Sequence, residues 1–163
     1  MGPELRVGSG WDSHEFVAGR PLWLGGLRIE HPSGLAGHSD GDVLLHAICD
    51  ALLGAIGAGD IGTHFSPSDA QWKGAASERF VRHALQLTHR GGWRLVNLDA
   101  NLILEHPRIQ QLQPQLCERV AVLLGTTSDR ISIKAKSPEG MHMPGTAIAQ
   151  VTILLQRDGA HEA

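Results

Sequence analysis

Two short blocks of this 163-residue chain concentrate side chains that ligate metals. In Gly8-Ser9-Gly10-Trp11-Asp12-Ser13-His14, Asp12 and His14 stand two apart, so in extended chain both project to the same side. In His38-Ser39-Asp40-Gly41-Asp42, followed by His46 and Asp50, the residues Asp42, His46 and Asp50 are successive i, i+4 neighbours on one stripe of a helix. Asp12, His14 and His46 would make a donor set of two nitrogens and one oxygen with a fourth position open, the pattern of catalytic zinc. Asp42 or Asp50, one turn from His46, could accept its second ring N–H and fix the tautomer that binds metal. Plainer readings exist for each. Gly8 and Gly10 could form a turn that leaves Asp12 and His14 as a surface pair, Asp42 could complement the helix dipole, and His46 could be a satisfied, partly buried histidine. Ten His against 14 Lys+Arg weighs toward the metal.

Two further groups carry polar chemistry. Gly57-Ala58-Gly59-Asp60-Ile61-Gly62 matches neither the P-loop nor the dinucleotide fingerprint, and its simplest role is to stop the helix before it. Lys134-Ala135-Lys136-Ser137-Pro138-Glu139-Gly140 leaves a strand with two cations on one face, a hydroxyl and a carboxylate. The lysines and Ser137 could hold phosphate oxygens and Glu139 a Mg²⁺ bridging them, although a solvated strand end explains the lysines equally.

The hydrophobic period locates the elements that must position these groups. Glu4–Gly8 reads as a strand, and Pro21–Gly25 with Leu27–Glu30 as a hairpin pivoting on Gly25-Gly26. From Ser39, with Ser39 and Asp42 arranged as a capping box, the apolar residues Val43, Leu44, Ala47, Ile48, Ala51, Leu52, Ala55 and Ile56 follow helical spacing. Ser77–Thr88 and Ile109–Leu124 give further helices, stopped by Gly91-Gly92 and Gly125. Val96–His106 alternates like a half-buried antiparallel strand, Ile131–Lys136 alternates likewise, and Thr146–Gln156 is apolar enough to be buried on both faces. The expected architecture is α+β, a mainly antiparallel sheet with helices layered on one face.

With 42% hydrophobic and 19% charged residues and no linker or repeat, the chain reads as one domain, 1–163. A net charge of −3 argues against nucleic acid as a partner. Cys49 and Cys117 fall in apolar helical patterns and suit reduced thiols in a cytoplasmic protein. No membrane span or signal peptide is expected.

Taken in order, Gly8 to Phe16, His38-Ser39-Asp40-Gly41-Asp42-Val43-Leu44-Leu45-His46-Ala47, Asp50-Ala51-Leu52-Leu53-Gly54-Ala55 and Gly59-Asp60-Ile61-Gly62 strongly resemble the 2-C-methyl-D-erythritol 2,4-cyclodiphosphate synthase family. The resemblance runs from about Arg6 to Leu155, continuing through Trp72-Lys73-Gly74-Ala75, Pro107-Arg108 and Lys134 to Gly140. It implies an enzyme of the non-mevalonate isoprenoid pathway. The expected reaction converts 4-diphosphocytidyl-2-C-methyl-D-erythritol 2-phosphate to the 2,4-cyclodiphosphate and CMP, the substrate's own 2-phosphate attacking its β-phosphorus. It further implies that Asp12, His14 and His46 bind zinc and that Glu139 binds Mg²⁺ or Mn²⁺. His38 and Ser39 would lie against the erythritol phosphate, Asp60 would hydrogen-bond the diol, and Asp42 and Asp50 would support the site. Lys136, Ser137, Pro107 and Arg108 would line the cytidine diphosphate pocket. Members of the family are homotrimers with sites between subunits, so residues 12 to 62 of one chain would face residues 105 to 140 of the next. In that arrangement Asn97, Asp99 and Asn101 would look into the trimer centre, although an exposed sheet face fits their pattern equally.

The sequence departs from the family at Met141-His142-Met143-Pro144-Gly145-Thr146, where a Gly-Arg-Gly-Glu run is missing, so isoprenoid-diphosphate binding along the trimer axis is not carried over. Phe65-Ser66-Pro67-Ser68-Asp69 alters the opening of the family's loop over the site, with closure expected to change more than chemistry. Two other readings stand beside the synthase: a catalytically silent trimer that binds metal and cytidine nucleotide, and a zinc phosphoesterase. The histidines His31, His64, His83, His89, His106, His142 and His161 are assigned to surface or structure, His106 adjoining the nucleotide motif.

Overall fold

In the computed structural model, which describes residues 2–66, 68–140 and 145–158, the chain opens with a 15-residue strand, β1 (Glu4–Ala18). The glycines that could have made a turn instead let a helix approach. A Cβ on Gly8 would lie 1.9 Å from the carbonyl oxygen of Ala51, and one on Gly10 1.9 Å from that of Ala47. Both carbonyls belong to α1 (Val43–Ala55), which therefore rests on the bare backbone of β1. The strand thus runs ten residues past Gly8 and carries Asp12 and His14 within it.

The hairpin forms as expected, β2 (Leu22–Leu24) pairing with β3 (Leu27–Ile29) around Gly25 and Gly26, whose φ of 59° and 77° favours glycine. β4 (Ser33–Leu35) pairs with the end of β1. After α1 come a single turn α2 (Ile61–His64), α3 (Glu78–Arg90), β5 (Arg94–Ile103), α4 (Gln113–Leu124), β6 (Ile131–Lys136) and β7 (Thr146–Arg157). Pro114 in the first turn of α4 sets its start, and Ile109–Leu112 before it winds as a 3₁₀ turn instead of joining one helix from Ile109.

The sheet order is β4-β1-β7-β5-β6. Three of its pairings are antiparallel, but β5 and β6 run parallel, because α4 carries the chain back between them. The sheet is accordingly mixed. Leu98, Ala100 and Leu102 of β5 and Ala149, Val151, Ile153 and Leu155 of β7 enter the core, where α1 packs on β1 and β7 and α4 on β6. The opposite face is open. Gln150 and Thr152 are exposed there, so β7 is buried mainly on its helix-facing side and not along both faces. Leu5, Val7 and Trp11 are 55%, 67% and 59% exposed on that same face. No helix among the described residues is long and apolar enough to cross a membrane.

Candidate metal centre and two separate pockets

β1 and α1 bring the proposed ligands together. Asp12 and His14, two apart on the strand, meet His46 of the helix, with His14 Nε2 2.8 Å and His46 Nδ1 2.9 Å from Asp12 Oδ2. The two ring nitrogens are 3.0 Å apart. Ligands of a tetrahedral zinc stand roughly 3.3 Å from one another, so two imidazoles and one carboxylate at these separations fit a small divalent cation. Burial alone would raise the Asp12 carboxyl, but the imidazoles of His14 and His46 set against it outweigh that and hold the group well below the usual carboxylate range. The backbone N–H of Ser13 occupies Asp12 Oδ1 at 2.9 Å, which leaves Oδ2 for the histidines.

Neither Asp42 nor Asp50 takes the second nitrogen of His46. That nitrogen, Nε2, lies 3.0 Å from Ser39 Oγ and 2.9 Å from Ser77 Oγ. The two carboxylates are engaged by backbone. Asp42 is fully buried and caps α1 through Leu45 N–H at 3.0 Å, while Gly25 and Gly26 N–H donate to it at 2.9 and 2.7 Å. Burial pushes its carboxyl up against the pull of those three donors. Asp42, not Ser39, is therefore the cap, because Ser39 has turned its hydroxyl to His46. Asp50 accepts from Ile61 N–H at 2.7 Å and so ties α2 to α1; burial raises it as well. Ala58 N–H bonds Leu53 O at 2.9 Å, and the glycine-rich run does stop α1. Asp60 then caps α2 through Thr63, whose hydroxyl and backbone N–H hold its carboxyl low.

A cavity of about 290 Å³ opens beside the three ligands. His38, Ser39 and Asp50 line its polar side, and Phe65, Trp72 and Phe80 close the other end as an aromatic cluster with centroids 4.6 to 5.7 Å apart. Asp60 does not line it, although Ile61 and Gly62 do. The aromatic wall escaped the sequence reading, since its members come from three separate segments. Ser77 escaped too, having the position and residue type of an ordinary helix start.

A second cavity, of about 580 Å³, is lined by Pro107, Arg108, Lys136, Ser137 and Glu139, among others. No residue lines both cavities, so within one chain Glu139 does not join Asp12, His14 and His46. Ser137 donates its hydroxyl to the exposed Glu139, whose φ of 49° lies in the left-handed region. Lys134 is drawn to the open sheet face instead, its Nζ 2.6 Å from Asp99 Oδ2, and does not pair with Lys136 at this pocket. Residues 141 to 144, where the sequence departs from the family, lie outside the described residues.

Residues 5–156 match the YgbB family. The 2-C-methyl-D-erythritol 2,4-cyclodiphosphate synthase of Koribacter versatilis is 52% identical over 153 residues, covering 94% of this chain and 99% of that protein. A bifunctional IspD/IspF enzyme of Erythrobacter litoralis is 55% identical over 141 residues, covering 86% of this chain, which spans only 36% of that longer relative. A solved 2C-methyl-D-erythritol-2,4-cyclodiphosphate synthase in its CDP-bound form superposes with a TM-score of 0.87 at 40% identity, over 92% of this chain and 99% of the other. Likeness at this level along nearly the whole length leaves one assignment: the chain belongs to the YgbB family, with the 2-C-methyl-D-erythritol 2,4-cyclodiphosphate synthases.

Proposed function

We propose that residues 1–163 act as one catalytic domain that cyclises 4-diphosphocytidyl-2-C-methyl-D-erythritol 2-phosphate to the 2,4-cyclodiphosphate and CMP, in the cytoplasm. The observation that carries this reading is the convergence of Asp12, His14 and His46 at 2.8 to 3.0 Å beside an open cavity, in a chain of this family. These three residues would hold zinc. Among the described residues the exposed Glu139 joins no cluster of metal-ligating side chains, which suits Mg²⁺ or Mn²⁺ held mainly by substrate phosphates and not by a protein cage. When bound, the two cations would neutralise charge at the phosphate oxygens as the bonds exchange.

The chain's own residues bind and orient. Lys136 and Arg108 offer donors to the cytidine diphosphate in the larger pocket, Ser137 lines it with its hydroxyl turned to Glu139, and Pro107 shapes its wall. His38 and Ser39 line the smaller one, where the erythritol phosphate would enter, and Asp60, next in sequence to the lining residue Ile61, would accept from the diol. Phe65, Trp72 and Phe80 exclude water from that end. A substrate carrying both ends needs both pockets, and one chain keeps them apart. We therefore infer a homotrimer in which the metal-side pocket of one subunit faces the cytidine-side pocket of the next. Leu5, Val7 and Trp11, exposed together on the open sheet face, supply the apolar surface for such an assembly.

Phosphorus NMR of the purified protein with the cytidyl substrate and Mg²⁺, before and after stripping zinc, tests the reading. Cyclic diphosphate and CMP, lost on stripping and restored by zinc, are expected. Release of inorganic phosphate would replace the synthase with a phosphoesterase, and tight CDP binding without turnover would replace it with a silent binding protein.

A further inference from the structure

Ser77 stands at the N-cap position of α3, yet its hydroxyl makes no capping bond. It is fully buried and is spent elsewhere. The hydroxyl donates to Asp40 Oδ1, while the Ser77 backbone N–H reaches Asp40 Oδ2 at 3.0 Å. On its other side it meets His46 Nε2 at 2.9 Å and Ser39 Oγ at 3.3 Å. Asp42 N–H, 3.1 Å from Asp40 Oδ1, fixes the carboxylate from the turn before α1.

The Asp40 carboxylate orders the protons of this cluster. A carboxylate only accepts, so the single hydroxyl proton of Ser77 points at Asp40. Ser77 then has only lone pairs for its remaining neighbours. Two lone pairs would repel at the 2.9 Å between Ser77 Oγ and Nε2 of His46, so Nε2 donates there, and a neutral imidazole protonated on Nε2 presents a bare lone pair on Nδ1, the atom that faces Asp12 and His14. Ser39 fits the same scheme, accepting from Gly41 N–H at 3.3 Å and sharing the Nε2 proton at 3.0 Å. Asp12 pulls the other way, since its carboxylate, 2.9 Å from Nδ1, favours a proton on that nitrogen. No such chain backs His14: among the described residues its Nδ1 makes no hydrogen bond.

We propose that Asp40 and Ser77 are positioning residues that set the tautomer of His46 and so prepare Nδ1 for the cation. This rests on the metal-binding reading above. It gives Ser77, 31 residues from His46 in sequence, a role beyond starting a helix. The carboxylate and the hydroxyl act in series, so changing either should produce the same defect.

The test combines metal affinity with ring tautomer. Zn²⁺ and Co²⁺ affinities would be measured by chelator competition on wild type, Ser77→Ala, Ser77→Thr and Asp40→Asn. Long-range ¹H–¹⁵N spectra of the metal-free proteins at about pH 8, where an ordinary imidazole is neutral, would report the His46 tautomer. Wild type should hold the proton on Nε2. Ser77→Ala and Asp40→Asn should move it toward Nδ1 and weaken both metals roughly 10- to 100-fold, and Ser77→Thr, which keeps the hydroxyl, should restore both readouts. Asp40→Asn decides the matter if Ser77→Ala does not fold, because its amide can donate to Ser77 and release the hydroxyl proton toward Nε2. Wild-type binding with affinities within about twofold in the variants and an unmoved tautomer would overturn the positioning role alone. Failure of the wild type to bind one cation would overturn the metal reading and this role with it.

Discussion

The two pockets are built on opposite principles. Asp12, His14 and His46, the proposed ligands, stand on a long strand and a buried helix, and the hydrogen bonds of Ser39, Asp40, Asp42, Asp50 and Ser77 tie the neighbouring turns together. Around Pro107, Arg108, Lys136 and Glu139 the walls are strand ends and loops, with Lys136, Ser137 and Glu139 exposed. The first region is finished within the chain itself, while the second is left open among exposed side chains. A reaction whose chemistry is charge neutralisation at phosphate needs rigidity at the reacting phosphorus and only adequate grip on the nucleotide. That contrast predicts a split in kinetics, the finished pocket controlling turnover and the open one controlling binding.

The harshest way to break the comparison is His46→Ala. It removes one of the three proposed ligands and opens the serine cluster behind it. We expect turnover to fall about 10³-fold or more, since the electrostatic stabilisation supplied at such centres amounts to several kcal/mol. The variant should keep its circular dichroism and its oligomeric state. Full activity in zinc-stripped His46→Ala, followed by phosphorus NMR, would dissolve the distinction between the pockets.

Next in size is the frame beneath the finished pocket. Gly10→Ala would drive a methyl into the Ala47 carbonyl, both partners being backbone that cannot turn aside, and should cost about 3 kcal/mol in denaturant unfolding. Gly54→Ala offers the control. It lies in α1 with only Ser9 O at 3.9 Å, so alanine there should gain up to about 1 kcal/mol from helix propensity. Equal effects at the two positions would mean that α1 does not press on β1 as described.

These glycines also show what a sequence can disclose. The residue types of the metal-side blocks were legible, as were the hairpin and the course of α1, since period and turn chemistry act over a few neighbours. Whether Gly8 and Gly10 bend the chain or admit a helix was not legible, because the answer lies in Ala47 and Ala51, some 40 residues on. Asp42 was ambiguous for a similar reason. Two of its three donors come from the Gly25-Gly26 turn, and only the folded chain brings that turn to the helix start. The parallel pairing of β5 with β6 was lost because alternation reports which face is buried and is silent on direction.

The smallest effect belongs to the open pocket. The spacing puts Lys134 and Lys136 together as a cationic pair, but Asp99 holds Lys134 away from this pocket, and Lys136 is left with Arg108 as the exposed cations of its wall. A solvated ammonium against a diphosphate contributes a charge-assisted hydrogen bond that water partly replaces, a loss of about 1.5 kcal/mol on removal. Lys136→Gln should therefore raise KM for the cytidyl substrate about tenfold and leave kcat within about a factor of two, with a larger KM penalty at low salt, where screening is weak. Lys134→Gln should leave both constants nearly unchanged, since its charge serves Asp99. A matching fall in kcat for Lys136→Gln would mean that this cation works on the transition state, and the open pocket would then belong to the chemistry as fully as the finished one.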